Sequence, residues 1–369
     1  METEIYLDWN ATTPPHPRVL EAMQKAARDA WGNPSSVHAA GRRARAVLEE
    51  TREAVAGLLE LHPRDVLFCS GGTEANNLAL RSAPGLATSR IEHPSVIRVA
   101  ELLSGQGRPV EWLPVPASGR IEPDAVGEVL SRLPTGSVVA LMAANHETGV
   151  IQPVAEVAER VHAAGARLHV DAVQALAKLP PEQWRMADSI ALAGHKMRGP
   201  KGIGVLAWRG LAPEPLLLGG SQERGLRPGT PDAALAAGLG AALELALDGP
   251  ARYQQLAVLR DELESELSAF AEPNGADAPR LPHVSNQSFR GWRGDELVAA
   301  LDLCGVRVSS GSACSAGSSE PSGVISAMLG RERGSSALRV SLGDGSARPQ
   351  LRRAIDAFLR VLGGRDSSV

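Results

Sequence analysis

Short apolar segments alternate with segments of helical periodicity over the first two thirds of the chain. Apolar residues recur at three- and four-residue spacing over 36–61 and again over 154–161, which predicts two amphipathic helices. Another helix is predicted to begin within 71–80. The predicted strands are the apolar runs at 65–70, 137–144, 167–170, 189–193 and 202–208. This alternation favours a doubly wound, largely parallel α/β sheet.

The pattern changes after residues 219–232. A helical stretch through 256–267 leads to a predicted loop at 272–286, which is rich in Pro, Asn and Gly. The remainder of the chain predicts a compact α+β unit. Its predicted elements are strands at 287–290, 306–310 and 338–342 and helices at 295–303 and 349–362.

The chain of 369 residues is long enough to form two lobes. The change of pattern places the boundary in the helical region near residue 247. We predict a large domain over residues 15–246 and a smaller domain formed by residues 1–14 and 247–369.

Composition narrows the possible functions. The net charge of −4 provides no basic surface for direct binding of nucleic acid or of an anionic membrane. No run approaches the roughly 20 apolar residues of a membrane span, and the acidic N-terminus lacks the apolar core of a secretory signal. Three scattered cysteines are too few for a disulfide framework or a tetrahedral zinc site. We therefore predict no metal site and a reducing, cytoplasmic location.

Polar residues follow the predicted strands at the points where the strands end. In sheets of this class, ligands bind beyond the carboxyl ends of the strands, so the clustering predicts a binding site there. These residues are Thr73, Asn145, His146, Asp171, Gln174, His195 and Lys196.

Two of these positions suggest how a charged ligand would be held. Gly71, Gly72 and Thr73 stand between a strand and a helix start, where backbone N–H groups favour phosphate, although a simple N-capped turn would use the same residues. Asp171 ends a buried strand and needs a cationic or N–H partner. It could hold a protonated ring nitrogen, as aspartate does for pyridoxal phosphate, or cap the next helix with Gln174.

Three basic residues have both a chemical and a structural interpretation. Lys196 follows an apolar strand among glycines, where partial desolvation would make it a nucleophile for a Schiff base; a surface lysine is the alternative. His93 precedes a helix, and it either caps the turn or stacks on a planar cofactor. Arg339 lies within a predicted strand and needs an anion, either a substrate carboxylate or a structural ion-pair partner.

Cys314 stands in the run VSSGSACSAGSSEP (308–321), whose small polar residues predict a flexible, solvated loop. A free cysteine is usually buried, so a thiol in such a loop points to chemistry. Cys69 and Cys304 are interpreted as small core residues. A phosphate cradle, a ring stacker, a carboxylate, a lysine and an arginine together constitute the parts of a pyridoxal phosphate site, and the thiol is an additional part.

The motifs resemble those of the cysteine desulfurases of the NifS/IscS group, in class V of the fold-type I pyridoxal phosphate enzymes. They occur in family order over nearly the whole chain, and their combination is specific. The matching stretches are YLDWNATTP (6–14), GNPSSVHAAG (32–41), SGGTEANNLAL (70–80), EHPSV (92–96), NHETGVIQPV (145–154), HVDAVQALAKLP (169–180), GHKMRGPKGIGVL (194–206), GGSQERGLRPGT (219–230), VSSGSACSAGSSEPS (308–322) and LRVSLG (338–343).

The resemblance implies a mainly parallel seven-stranded sheet and pyridoxal 5′-phosphate as the cofactor. Lys196 would bind the cofactor covalently and move the substrate protons. The other implied cofactor contacts are Asp171 to the pyridinium nitrogen, Gln174 to the ring oxygen, His93 and His146 to the ring, Gly72, Thr73 and His195 to the phosphate, and Thr230 to the phosphate from the partner subunit of a homodimer.

L-cysteine is the substrate that the resemblance implies. Arg339 would bind its carboxylate, Asn145 and His146 would lie beside it, and His93 would take part in catalysis. Cys314 would attack the substrate sulfur, release L-alanine and keep a persulfide. A sulfur-acceptor protein, such as an iron–sulfur scaffold or a tRNA-thiolation enzyme, would then receive the sulfur.

Two positions depart from the family pattern. The family usually has Asn at His146 and a hydroxyl residue at Ala193, and the loss of one phosphate contact at Ala193 is worth about 0.5–1.5 kcal/mol. Two other functions stay open. A related class V C–S or selenocysteine lyase would not need Cys314, and the two departures would suit a degenerate homologue that acts as a sulfur-carrier partner.

Overall fold

The computed structural model describes residues 4–311 and 320–366. Its strands are β1 (Ile5–Tyr6), β2 (Val66–Cys69), β3 (Leu86–Ser89), β4 (Val110–Leu113), β5 (Val138–Met142), β6 (Arg167–Asp171), β7 (Ser189–Ala193), β8 (Gly204–Trp208), β9 (Ala271–Pro273), β10 (Val284–Phe289), β11 (Val306–Arg307) and β12 (Ala337–Ser341). Its α-helices are α1 (Pro17–Asp29), α2 (Ala39–Leu59), α3 (Gly72–Leu80), α4 (Pro94–Gly105), α5 (Pro123–Leu130), α6 (Val154–Ala163), α7 (Ala233–Ala246), α8 (Gly249–Gln254), α9 (Ala257–Leu267), α10 (Gly294–Leu303), α11 (Gly323–Leu329), α12 (Arg331–Ser335) and α13 (Arg348–Asp366).

The central sheet has the strand order β2-β8-β7-β6-β5-β3-β4. Strand β8 runs antiparallel to both of its neighbours, and every other neighbouring pair in this sheet is parallel. The prediction of a mainly parallel, seven-stranded α/β fold is therefore confirmed. The carboxyl ends of β5, β6 and β7 meet at one edge, where the predicted polar residues begin.

The central strands are apolar because helices cover both faces of the sheet. All the residues of β5 and β8 are buried, and so are all but the first residues of β6 and β7. The largest hydrophobic core joins these strands to α2, α6 and α7. A rigid sheet with buried strands fixes the positions of the loops that leave its edge.

A second hydrophobic core is formed by the C-terminal part of the chain together with Ile5 and Leu7. Strand β10 pairs with β12 and β9 in an antiparallel sheet, and β1 pairs with β11. Phe289 and Phe358 stack with their ring centroids 6.0 Å apart. The predicted domain boundary near residue 247 stays a prediction.

Two predicted elements of the C-terminal part differ from the structure. The predicted loop at 272–286 contains most of β9 and the start of β10, and the predicted strand at 306–310 pairs regularly only over Val306–Arg307. Strand β10 has the sequence VSNQSF and is buried throughout. Only its last three residues fall within the strand predicted at 287–290, and hydrophobic alternation does not reveal the rest because its polar side chains are buried as well.

The N-terminal segment runs from the second core to the edge of the central sheet. The backbone N–H of Ser341 donates to the carbonyl of Leu7, and the N–H of Thr13 donates to the carbonyl of His195. Residues 7–13 therefore connect the C-terminal sheet to the turn that follows β7.

In the part of the chain that the structure describes, no single helix has the length and apolar character needed to cross a bilayer; only the bent pair formed by α7 with residues 249–267 meets that criterion jointly.

Candidate active site

A cavity of about 230 Å³ opens at the carboxyl edge of the central sheet. It lies where β5, β6 and β7 end and where β12 of the C-terminal sheet approaches. The sequence-predicted residues that line it are Gly72, Thr73, His93, His146, Asp171, Gln174, His195, Lys196 and Arg339.

Lys196 lies in a 3₁₀ turn directly after β7. Its side chain is half-buried, and its Nζ donates to the backbone carbonyls of Asn10 and Ala11, at 2.5 and 2.7 Å. The amine is therefore held at the cavity wall by the N-terminal segment. Carbonyl oxygens are weak, neutral partners that a ligand could replace without leaving a buried carboxylate unpaired.

Asp171 ends β6 and is 7% exposed. One carboxylate oxygen accepts from Nδ2 of Asn76 at 2.8 Å, and the other accepts from the N–H of Val173 at 3.0 Å. The Oδ1 of Asn76 in turn lies 2.9 Å from Nε2 of His169, whose Nδ1 lies 2.8 Å from the Ser189 hydroxyl. This chain of hydrogen bonds fixes the Asp171 carboxylate in the cavity wall.

Burial lowers the pKa of His169 to about 4. The ring is therefore neutral at physiological pH. Because Asn76 turns its amide nitrogen toward Asp171, its oxygen faces His169, so the His169 proton lies on Nε2. The local sequence around His169 gives no sign of this connection to Asp171, which runs through Asn76 of α3.

Helix α3 begins beside the cavity at Gly72. A Cβ at this position would lie 2.7 Å from Cγ2 of Val173, so the turn needs glycine there. A Cβ built at Gly72 would also lie 4.0 Å from the Cβ of Ala193, at the end of β7, and Thr73 lines the same cavity. The start of this nine-residue helix has the features of an anion site.

His195 lies on the same side of the cavity. Its Nδ1 lies 3.1 Å from the Thr12 hydroxyl. Burial, together with the positive charges of Lys196, Lys178 and Lys201, lowers the pKa of His195 to about 4. A neutral His195 can donate one ring N–H to an anion while the other ring nitrogen stays with Thr12.

His93 caps the start of α4. The backbone N–H of Ser95 donates to its Nδ1 at 3.1 Å, and the Ser95 hydroxyl lies 2.8 Å from the same atom. Nδ1 therefore carries the lone pair, and the neutral ring holds its proton on Nε2. Burial lowers the pKa of His93 although the Asp171 carboxylate opposes that shift.

His146 lies against His93 in an edge-to-face arrangement, with 5.4 Å between the ring centroids. Its Nδ1 is buried and has no hydrogen-bond partner among the described residues, and its Nε2 lies 3.7 Å from Glu147 Oε1. Burial and the neighbouring His93, Arg339 and Lys196 lower its pKa well below the usual value. The ring of this cavity-lining residue is therefore uncharged, and one of its nitrogens is unsatisfied.

Arg339 is 1% exposed in the middle of β12. Its Nη1 donates to the carbonyl of His146 at 2.9 Å, and its Nη2 donates to Asp8 Oδ1 at 2.6 Å. Its buried Nε has no partner among the described residues. Both interpretations of this arginine therefore stay open, since it has a structural ion pair and also one buried donor without a partner.

Asn10 connects these groups. Its carbonyl accepts from Lys196 and from Nε2 of Gln174, the latter at 2.9 Å, and its Nδ2 donates to the carbonyl of His146 at 3.1 Å. Its Oδ1 lies 2.9 Å from Nε2 of His283. One residue of the N-terminal segment thus links the turn after β7, the turn after β5 and the C-terminal sheet.

Two of the predicted site residues that the structure describes, Asn145 and Thr230, are not part of this cavity wall. Asn145 uses its amide within the turn after β5, where Oδ1 accepts from the N–H groups of Glu147 and Thr148 and Nδ2 donates to the carbonyl of Ile91. Thr230 is exposed and lines a different cavity, beside Cys69. Cys314 lies outside the described residues.

Sequence reasoning did not identify Asn10, Asn76, Ser95 or Lys178 as parts of the site. Asn76 stands one helical turn after Thr73, so helical spacing could have found it. Asn10 and Lys178 gave no such signal, because Asn10 acts through partners more than 130 residues away and a lysine after an apolar helical turn usually reaches solvent.

The donor set of the cavity fits pyridoxal phosphate. It combines an amine at Lys196, a carboxylate held in one orientation at Asp171 and an anion site at the start of α3. The unpartnered Nε of Arg339 and the glycine that lets the backbone approach at position 72 are features that a packed, ligand-free core would not need.

Comparison with known proteins agrees with this geometry. The family described as aminotransferase class-V matches residues 5–351. The IscS-like cysteine desulfurase of Mycobacterium tuberculosis is 39% identical and aligns with 97% of this chain and 95% of its own length.

Two solved structures are also similar to this chain over most of its length. A NifS-like protein superposes with a TM-score of 0.89 at 31% identity, covering 98% of this chain and 100% of that one. The structure described as SspA in complex with cysteine superposes with a TM-score of 0.80 at 32% identity, covering 92% of this chain and 99% of that one.

Proposed function

This chain belongs to the class-V aminotransferase family, and on that premise we propose how its residues carry out its reaction. The protein is a pyridoxal phosphate-dependent cysteine desulfurase. It removes sulfur from L-cysteine and releases L-alanine. The observation that supports our residue assignments most strongly is that Lys196, Asp171 and Arg339 meet in one cavity although they lie far apart along the chain.

We assign the cofactor contacts to the walls of this cavity. The start of α3, with Gly72 and Thr73, and the ring of His195 would bind the phosphate. Asp171 would hold the pyridine nitrogen, and Lys196 would exchange its carbonyl partners for the cofactor. Pyridoxal phosphate, when bound, supplies an electron sink for bond cleavage at the substrate carbons.

Arg339 is assigned to the substrate carboxylate. Its Nε is buried and unpartnered among the described residues, while Asp8 and the His146 carbonyl hold the other two nitrogens in place. A carboxylate at Nε would complete the hydrogen bonding of the guanidinium. Asp8 would act as a positioning residue, since it neutralises the buried charge when no substrate is present.

His93 and Lys196 are assigned to proton transfer. Ser95 keeps Nδ1 of His93 as an acceptor, so Nε2 is the atom that holds the exchangeable proton at the cavity. Lys196 would supply an amine at the same cavity. Two bases at one cavity can remove one proton and deliver another.

Cys314 is assigned as the sulfur acceptor within the chain. Its thiolate would attack the sulfur of L-cysteine, an S–S bond would form, and the C–S bond would break. The substrate carbon would gain a proton, so that L-cysteine and one thiol give L-alanine and one persulfide. The persulfide would then pass its terminal sulfur to an acceptor protein.

Further proposals concern the assembly and its setting. We propose a homodimer in which Thr230 of one subunit reaches the phosphate of the other, consistent with its exposure and its distance from the cavity of its own chain. We also propose a cytoplasmic enzyme that supplies sulfur for iron–sulfur clusters or for tRNA thiolation. The large domain would cover 15–246, and the small domain would cover 1–14 and 247–369.

The assignment of Cys314 is tested by measuring alanine and sulfide from L-cysteine and a thiol. We expect C314A to lose at least about a hundredfold in both products while it keeps its bound cofactor, because the nucleophile is removed. C304A is the matched control, since Cys304 lies half-buried in the second core, and it should react at the wild-type rate.

The alternatives give different results in the same assay. An undiminished rate for C314A would indicate a lyase that needs no catalytic cysteine. A wild-type protein that binds the cofactor and releases neither alanine nor sulfide would indicate a sulfur-carrier partner without its own activity.

A further inference from the structure

Lys178 is a buried lysine behind the cavity. It is 3% exposed, and its Nζ donates to Oε1 of Gln174 at 3.2 Å and to the backbone carbonyl of Lys196 at 3.1 Å. No carboxylate of the described residues lies within ion-pair distance of it. The Tyr253 ring lies 5.9 Å away, and the nearby titratable groups are the basic side chains of Lys196, His195 and His283. Buried lysines are almost always paired with an acid, so this one needs another explanation.

Both hydrogen-bond partners of Lys178 belong to the site. Gln174 lines the cavity, and the carbonyl belongs to the residue that carries the reactive amine. Lys178 itself does not line the cavity. It therefore acts from behind the wall and reaches the ligand only through other residues.

An ammonium group can only donate hydrogen bonds, so it is compatible with only one orientation of the Gln174 amide. The Oε1 atom must face Lys178, which leaves Nε2 on the other side, where it now donates to the Asn10 carbonyl. Without Lys178 only the Asn10 carbonyl would oppose a half-turn of the amide, which would bring Oε1 to the place that Nε2 occupies now.

We propose that Lys178 is a positioning residue that locks the Gln174 amide with its N–H side toward the ligand. This inference rests on the proposed function, in which Gln174 contacts the ring oxygen of pyridoxal phosphate. That oxygen is an acceptor and would be repelled by Oε1. The lock therefore ensures that the cavity wall presents a donor at this point.

Keeping the charged Lys178 in this buried position lowers the stability of the folded protein, and this loss distinguishes a positioning role from a stabilising one. Burial and the charge of Lys196 lower the pKa of Lys178 to about 7, and a buried charge without an acidic partner destabilises the folded chain. If the side chain served only to stabilise the fold, its replacement would lower the unfolding midpoint. Replacement by methionine, which has a similar shape and no charge, should therefore leave the unfolding midpoint of the apoprotein unchanged or raise it.

The experiment is a double-mutant cycle read out by titration of the apoprotein with pyridoxal phosphate. K178M and Q174A should each weaken cofactor binding about tenfold, and the double variant should bind within about twofold of Q174A, because Lys178 acts through Gln174. K178R keeps a side chain that can only donate hydrogen bonds and should recover part of the affinity. K25M makes the same change at an exposed lysine of α1 and should bind as the wild type does.

Three results would overturn the proposal: wild-type affinity in K178M, losses that multiply in the double variant, or a lower unfolding midpoint in K178M. Failure of the proposed function is distinguishable, because the titration contains no L-cysteine. A wild-type protein without desulfurase activity could still show the predicted cycle, and an active enzyme could still lack it.

Discussion

At Ala193 a single methyl group stands where a hydroxyl would reach the anion site. The side chain ends β7 and lines the cavity beside the start of α3. A Cβ built at Gly72 would lie 4.0 Å from the Ala193 Cβ, so a hydroxyl at this position would point into the space beside the first turn of the helix.

We expect A193S to tighten cofactor binding. A hydroxyl donor to the phosphate is worth about 0.5–1.5 kcal/mol, which corresponds to about a 2- to 12-fold lower dissociation constant. Titration of the apoprotein with pyridoxal phosphate measures this change. A193G is the control that adds no donor, and equal affinities for A193S and the wild type would show that Ala193 does not face the phosphate.

A residue of the site was predictable from the sequence where the neighbouring residues along the chain indicate its position. Lys196, Asp171 and His195 follow apolar strands directly, so the sheet itself placed them at one edge. Asn10 and Lys178 were not predictable, because their roles depend on contacts between segments that the chain brings together only on folding. His146 was noticed as a departure, and the structure adds its unpartnered Nδ1 and its contact with His93.

At the scale of elements, the strands that the sequence revealed are those whose residues are apolar on both faces. β5, β7 and β8 fall within predicted runs. β4 has only one buried residue and therefore lacks the hydrophobic pattern of a strand. β10 buries four consecutive polar residues, and only its end falls within the strand predicted at 287–290. Tertiary packing, rather than a hydrophobic pattern in the sequence, determines that these segments form strands.

One buried ion pair ties α2 to the central sheet and to the segment after β8. Arg52 and Glu223 have side chains only 5% and 4% exposed, with Nη2 and Oε1 2.7 Å apart. Glu223 also accepts from the backbone N–H of Phe68 at 3.0 Å, and it has φ of +47°, a value that non-glycine residues rarely adopt. The pair therefore holds a strained turn against β2.

We expect R52M to destabilise the protein by about 3–5 kcal/mol, because it leaves the Glu223 carboxylate buried without its cation. Chemical unfolding of the apoprotein measures this loss. The double variant R52M/E223L should recover much of the stability, since both charges are removed together. A double variant as unstable as R52M would show that the turn, rather than the unpaired charge, determines the cost.

At the scale of the whole molecule, several histidines are buried in the neutral form. Burial is the largest cause of the lowered pKa of His146, His169, His195 and His283. In the unfolded chain these groups regain the ordinary value of 6.5. Below that pH the unfolded state binds protons that the folded state does not bind, so folding loses stability.

We expect the contribution of these histidines to the unfolding free energy to be fully developed above about pH 6.5 and to fall as the pH drops toward 4. Glu92 has the opposite effect on stability, because burial raises its pKa and the folded state then binds a proton more readily than the unfolded state. The combined effect of the four histidines is larger than that of this one carboxyl group. Urea unfolding across this range measures the slope. In H169Q the slope should be smaller by up to one proton, and an unchanged slope would contradict the assignment of His169 as a neutral buried ring.

The arrangement of the whole chain explains why the function needs both hydrophobic cores. The amine and the carboxylate come from the central sheet, while Arg339 comes from β12 and Asn10 from the segment that joins the two sheets. Cys314 lies in the C-terminal part of the sequence, so the proposed reaction requires groups from both parts to act on one substrate.

The most direct test is to follow the sulfur. The purified holoenzyme is mixed with one equivalent of L-cysteine without a reducing thiol, and both free alanine and the mass of each cysteine-containing peptide are measured. We predict one alanine released per subunit and one additional sulfur atom on the peptide that carries Cys314. Alanine formed with that peptide unmodified, or the additional sulfur on Cys69 or Cys304, would contradict the account.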